Sequence, residues 1–112
     1  MAWNFDHALS DPLVTVDNRI DDWGIFEIQI GTIPTIVTIE LGRHMNNDET
    51  KVNLSHVIHT PVQAGPYRTS RPYWDDPEYA LQQTISGFTQ YYNEAVSAGH
   101  TPDPSWLVPY ST

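Results

Sequence analysis

The chain contains no cysteine, which excludes disulfides, thiolate metal sites and cysteine nucleophiles. That absence suits a reducing compartment. Cations are scarce: Lys and Arg number 5 against 14 Asp and Glu, for a formal net charge of −9. Affinity for a phosphate backbone comes largely from Lys and Arg displacing counterions. Nucleic acid and anionic membrane surfaces are therefore excluded as partners, and a charged partner is expected to be basic. Long apolar runs are also missing. The richest stretch, Ile25 to Leu41, is broken by Glu27, Gln29, Gly31, Pro34 and Glu40, so no membrane span is expected. Met1-Ala2-Trp3-Asn4-Phe5-Asp6 has neither the basic nor the apolar region of a signal peptide, and the expected location is cytoplasmic. No nucleophile elbow, phosphate-cradling glycine loop or H-E-x-x-H motif occurs.

What is present is enough for one core. The 112 residues are one domain in length, residues 1–112, and 4 Trp, 6 Tyr and 3 Phe supply large buriable surfaces. The acidity is uneven. Residues 1–22 carry Asp6, Asp11, Asp17, Asp21 and Asp22 against Arg19. The middle, residues 23–74, balances Glu27, Glu40, Asp48 and Glu49 with Arg43, Lys51, Arg68 and Arg71. Residues 75–112 hold Asp75, Asp76, Glu78, Glu94 and Asp103 and no Lys or Arg.

Alternation predicts strands over Gly24–Ile30 and Thr35–Leu41, joined by a Gly31–Pro34 turn as a hairpin. A short strand is expected at Leu13–Val16, and Asp17–Asp22 reads as an acidic turn. Trp3 and Phe5 alternate in the lead-in segment, whose Ser10-Asp11-Pro12 signals a turn. Gly42–Thr50 reads as an exposed polar loop and Lys51–Ile58 as a single third strand. Pro61, Pro66, Pro72 and Pro77 exclude a central strand or helix between them, so Pro61–Asp75 is expected to be a long loop. The helix is the clearest element: Asp76 as N-cap, Pro77 in the first position, Glu78 at the positive end of the dipole, and Gly99 as the stop. Leu81, Ile85, Phe88, Tyr92, Ala95 and Val96 form its core stripe. Beyond it, a proline-rich segment is expected to run extended, anchored by Trp106, Leu107 and Tyr110. The fold class is α+β: a three- to four-stranded antiparallel sheet with one long C-terminal helix packed on it.

Two features suggest binding. The helix presents Gln82, Gln83, Ser86, Gln90, Asn93 and Ser97 outward, with little of the charge usual on a surface helix. Beside the stripe lie Ala80, Thr84 and Gly87, and a glycine inside a helix implies a close neighbour, either the chain's own sheet or a partner. The loop before the helix concentrates Tyr67, Arg68, Arg71, Tyr73 and Trp74, residue types enriched at interface hot spots. They either cover the helix end or form a binding surface. The candidate partner-binding residues are thus Tyr67, Arg68, Arg71, Tyr73, Trp74, Gln83 and Gln90. Five histidines raise the question of a metal, but His56 and His59 fall at odd spacing on a strand, and His7, His44 and His100 are remote from them. No metal site, catalytic residue or cofactor is expected.

The helix end Ala98-Gly99-His100-Thr101-Pro102, followed by Trp106, resembles the close of the Imm1-type bacterial immunity proteins. The part of the chain before the helix carries no such likeness. The resemblance implies a small acidic sheet-plus-helix protein that binds and blocks a secreted toxin domain. With the acidic ends, the uncharged helix face and the aromatic loop, it points to a non-enzymatic protein-binding module of inhibitor or immunity type. A self-associating assembly or phage-derived structural component is a second reading. A small enzyme or ligand-binding domain, with His56, Arg68, Arg71 or Tyr92 lining a pocket between sheet and helix, is a third.

Overall fold

A computed structural model of the chain describes residues 4–43, 50–67, 73–74 and 76–110, with Arg43, Tyr73 and Trp74 described by backbone alone. The fold is α+β. Its elements are helix α1 (Asp6–Leu9), strands β1 (Val14–Ile20), β2 (Ile25–Ile30), β3 (Val37–Arg43), β4 (Thr50–Leu54), β5 (His56–Ile58) and β6 (Tyr73–Trp74), helix α2 (Pro77–Ser97), and strand β7 (Leu107–Pro109). The main sheet has the order β1-β2-β3-β4, with two-residue β6 added at the β4 edge; β5 and β7 form a second sheet. All of these pairs are antiparallel.

The hairpin β2–β3 supplies the floor of the core. Phe26, Ile28 and Ile30 of β2 and Val37, Ile39 and Leu41 of β3 are buried, while the alternate residues Ile25, Glu27, Gln29 and Thr38 are half-buried and Glu40 is exposed. Shifting β2 by one residue would exchange three buried apolar side chains for a set containing Glu27 and Gln29. Each lost burial costs about 1.5–3 kcal/mol, so the register is strongly specified.

Helix α2 lies over this floor through Leu81, Ile85, Phe88, Tyr92 and Ala95, all buried. Val96, expected in the stripe, is exposed, and Thr89 is buried in addition. Both ends are capped. Asp76 Oδ1 accepts from the Tyr79 N–H at 2.7 Å. At the other end the Gly99 N–H reaches the Val96 carbonyl and the His100 N–H reaches Ala95, each at 3.0 Å, closing a Schellman turn around Gly99 at φ 94°.

Further expectations are corrected. Strand β1 runs on through Asp17–Ile20, because Asn18, Arg19 and Ile20 pair with Glu27, Phe26 and Ile25; Asp17 is absorbed as a bulge, and the turn is the short 3-10 segment Asp21–Trp23. The lead-in segment contains α1, with Phe5 buried edge-on against Phe26 at 4.9 Å; Trp3 lies outside the described residues. The strand expected over Lys51–Ile58 divides at Ser55. There the Ser55 N–H donates to the Thr38 carbonyl at 3.0 Å and Ser55 Oγ accepts from the Thr38 N–H at 2.8 Å, while its own carbonyl accepts from the Tyr110 N–H at 2.9 Å. The chain so leaves β3 for β7 without stranding a backbone group. Finally, the loop 61–75 is interrupted where Tyr73 and Trp74 pair with Lys51 and Thr50. This is an edge position, where the nearby prolines are tolerated. Of the polar loop expected over Gly42–Thr50, Gly42 and Arg43 close β3 and Thr50 opens β4; residues 44–49, including His44, lie outside the described residues.

The tip of the β2–β3 hairpin is locked to α2. Gly31 sits at φ 57°, where a Cβ would overlap the Tyr92 hydroxyl, and that hydroxyl accepts from the Thr32 N–H at 3.3 Å. Gly31→Ala is therefore expected to lower stability by about 1–3 kcal/mol in urea unfolding. Gly42→Ala, whose Cβ would meet none of the described residues within 4 Å, is expected to be neutral or to stabilise by up to about 1 kcal/mol.

Candidate functional site

The loop leaving β5 is closed by one glutamine. Gln63 Oε1 accepts from the Thr60 N–H at 2.7 Å, and its Nε2 donates to the carbonyls of Ile58 at 3.2 Å and Gly65 at 3.4 Å. The Tyr67 N–H then returns to the Ile58 carbonyl at 2.8 Å. This delivers the Tyr67 ring onto Gly87 of α2: a Cβ there would stand 2.8 Å from the ring. The close neighbour implied by a glycine inside the helix is thus neither the sheet nor a partner but the chain's own loop. Tyr67 also meets Tyr91, one turn beyond Gly87, with ring centroids 5.2 Å apart at 44°.

One surface results. Tyr67 is 38% exposed, and Tyr91 is half-buried beneath it. Gln83, half-buried, lies one turn before Gly87. Gln90 is exposed and donates to Glu94 Oε1 at 3.3 Å. Gln82, Ser86, Asn93 and Ser97 continue the exposed face, so the only charges on α2 are Glu78 and Glu94. Of the candidate binding residues, the structure brings Tyr67, Gln83 and Gln90 onto the same side of α2. Arg68 and Arg71 lie outside the described residues, as does Asp75, and Tyr73 and Trp74 are placed only as the backbone of β6. Tyr91 was missed by the sequence reading, although its spacing of four from Gly87 was a usable signal.

The residues suggested for a pocket behave differently. The Tyr92 ring is buried edge-on against Trp106 at 5.7 Å, and its hydroxyl is engaged at the hairpin tip. It is a core residue rather than a pocket wall. His56 Nδ1 lies 2.7 Å from Ser55 Oγ at the point where the chain changes sheets. The His59 N–H donates to the Trp106 carbonyl at 2.8 Å. Among the described residues, no group of three His, Asp or Glu side chains is placed to hold a metal.

Among the described residues, the ion pairs gather at Arg19. Its guanidinium bonds Asp21 through Nε at 2.8 Å and through a terminal nitrogen at 2.6 Å, and reaches Asp6 at 2.9 Å, tying α1 to the β1–β2 turn. The hydrogen bonds from Arg19 hold the Asp21 carboxyl below the ordinary aspartate range, and the Arg19 guanidinium is raised in turn. Asp103 is also lowered, by the Ser105 N–H that it accepts at 2.9 Å while capping the 3-10 turn Pro104–Trp106.

No protein-family model, curated protein or solved structure matches the chain. Among the described residues, no helix is long and apolar enough to cross a membrane.

Two predictions follow from this geometry. Gly87→Ala, which normally favours a helix by about 1 kcal/mol, should instead destabilise the protein, whereas in a Tyr67→Ala background the same change should stabilise it; a double-mutant cycle by chemical denaturation reads the sign reversal. Asp21 has a depressed folded pKa, so its contribution is complete above the ordinary aspartate range and is lost as pH falls through the folded value. Asp21→Asn should accordingly lower the urea midpoint modestly at neutral pH, and the difference should vanish on acid titration.

Proposed function

We propose that this protein is a non-enzymatic protein-binding module of the inhibitor or immunity type. The observation that carries this reading is the seating of Tyr67 on Gly87. It joins an aromatic loop to a helix flank whose one charge is Glu94 and makes one surface of Tyr67, Gln83, Gln90 and Tyr91. A surface helix kept for solubility alone would ordinarily carry Lys and Glu. Here the face offers amide and aromatic groups, which suit a desolvated contact better than full charges do. The net charge of −9 favours a basic partner. The C-terminal likeness to Imm1-type immunity proteins supports the same class, and the elements that carry it have definite work in the fold: Gly99 closes the helix, and Trp106 packs on Tyr92.

The test is co-purification of the full chain with toxin-domain proteins encoded beside it, followed by calorimetric titration. A stoichiometric complex that Gln83→Arg/Gln90→Arg weakens by about tenfold or more, with the free fold unchanged, is the expected result. Absence of any complex from an intact fold, or a stable symmetric oligomer in sedimentation, would overturn it in favour of self-assembly.

A further inference from the structure

The opposite side of the main sheet carries a second surface, independent of the helix-face reading. Residues that alternate with the core set on β1, β2, β3 and β4 face away from α2. One cross-strand row on that side is Ile20, Ile25, Glu40 and Asn53, as the pairings Ile20↔Ile25, Ile25↔Glu40 and Glu40↔Asn53 show. Ile20 is 41% exposed. Trp23, in the turn between these two isoleucines, is 73% exposed. The Leu41 N–H donates to the Gly24 carbonyl at 2.8 Å, which brings the turn alongside Gly42, and none of the described residues crowds the space beside Gly42. A tryptophan left this exposed next to an exposed isoleucine is the kind of apolar surface at which proteins associate.

The charge around the patch selects its occupant. Asp22 adjoins Trp23 in the turn, Glu40 pairs across from Ile25, and Glu27 lies in the next row, accepting from Asn18 Nδ2 at 3.0 Å. Arg19 belongs to the other face, opposite Phe26, and is engaged by Asp6 and Asp21. Lys51, opposite Gly42, is the one Lys or Arg that the register places on this side among the described residues. Among the described residues, the surface therefore has an apolar centre with Asp22, Glu27 and Glu40 around it against Lys51. A second copy of the chain would bring another net −9 to the contact, and an anionic bilayer is disfavoured for the same reason. Strand addition at the β1 edge is disfavoured by the bulge at Asp17.

We propose that the patch of Ile20, Trp23, Ile25 and Glu40 docks a cationic protein surface, with Trp23 as the anchor and the carboxylates setting orientation and charge selectivity. The test is a nuclear magnetic resonance titration of the full chain with a synthetic peptide alternating arginine and valine. A glutamate–valine peptide, zwitterionic vesicles and increasing concentrations of the protein itself form the other arms. The expected result is saturable shifts of the Trp23 indole and of Ile20, Ile25 and Glu40 with the arginine peptide alone, diminished by added salt. Trp23→Ala and, separately, Asp22→Lys/Glu40→Lys should each weaken binding by about tenfold or more, whereas Gln83→Arg/Gln90→Arg should leave it unchanged. Trp23 is exposed enough that its removal should leave the fold intact, and the charge-reversal variant tests the same surface without touching it. Shifts confined to other acidic segments, retention of binding by Trp23→Ala, or an equal response to the glutamate peptide, the vesicles or the protein itself would overturn the proposal. Loss of binding in Gln83→Arg/Gln90→Arg with retention in Trp23→Ala would assign the cationic contact to the helix face instead.

Discussion

The arrangement of the whole molecule depends on how Ser55 disposes of its hydrogen bonds. A strand that stops pairing in mid-course normally strands an N–H or a carbonyl, each costly to bury unpaired. Ser55 avoids this by donating its N–H to the Thr38 carbonyl, accepting the Thr38 N–H with its hydroxyl oxygen, and accepting the Tyr110 N–H with its carbonyl. The chain can then turn out of the main sheet at full hydrogen-bond count. Everything placed by β5 follows: the pairing with β7 that holds the C-terminal segment, the anchoring of Tyr67 to the Ile58 carbonyl, and the delivery of the Tyr67 ring to α2.

Two faces of different character result. On the α2 side, an aromatic loop and amide side chains make a surface poor in charge. On the open side of the sheet, exposed Ile20 pairs with Ile25 beside Glu40, next to the turn that carries exposed Trp23. Between them the buried hairpin β2–β3 and the core stripe of α2 form a packed layer whose register is strongly specified. A surface mounted on such a layer would lose little conformational entropy on association, as the proposed binding role requires.

Much of the fold was legible because its signals are local. The caps of α2 lie within one turn of the groups they satisfy, so Asp76, Pro77 and Gly99 mark its ends directly. Alternation within β2 and β3 separates the buried from the outward residues without knowledge of their partners. The candidate site was legible only in part. The sequence singled out both Tyr67 and Gly87, but nothing in it indicated that one covers the other. Trp23 drew no attention at all, because a single aromatic beside a glycine in a turn is indistinguishable from a core residue until its exposure is known.

What the sequence determined by itself is the α+β class, the hairpin and its facing, and the limits of the long helix, all of which arise from interactions between residues a few positions apart. Tertiary structure alone decided where the third strand divides, that Asp17–Ile20 extends β1, that the Tyr92 hydroxyl engages the hairpin tip, and which side chains share a surface. Each of these turns on a pairing between distant segments: Ser55 with Thr38 and Tyr110, Asn18 with Glu27, Tyr92 with Gly31 and Trp106, Tyr67 with Gly87. Local propensity is blind to such pairings because their free energy exists only once the chain has closed on itself.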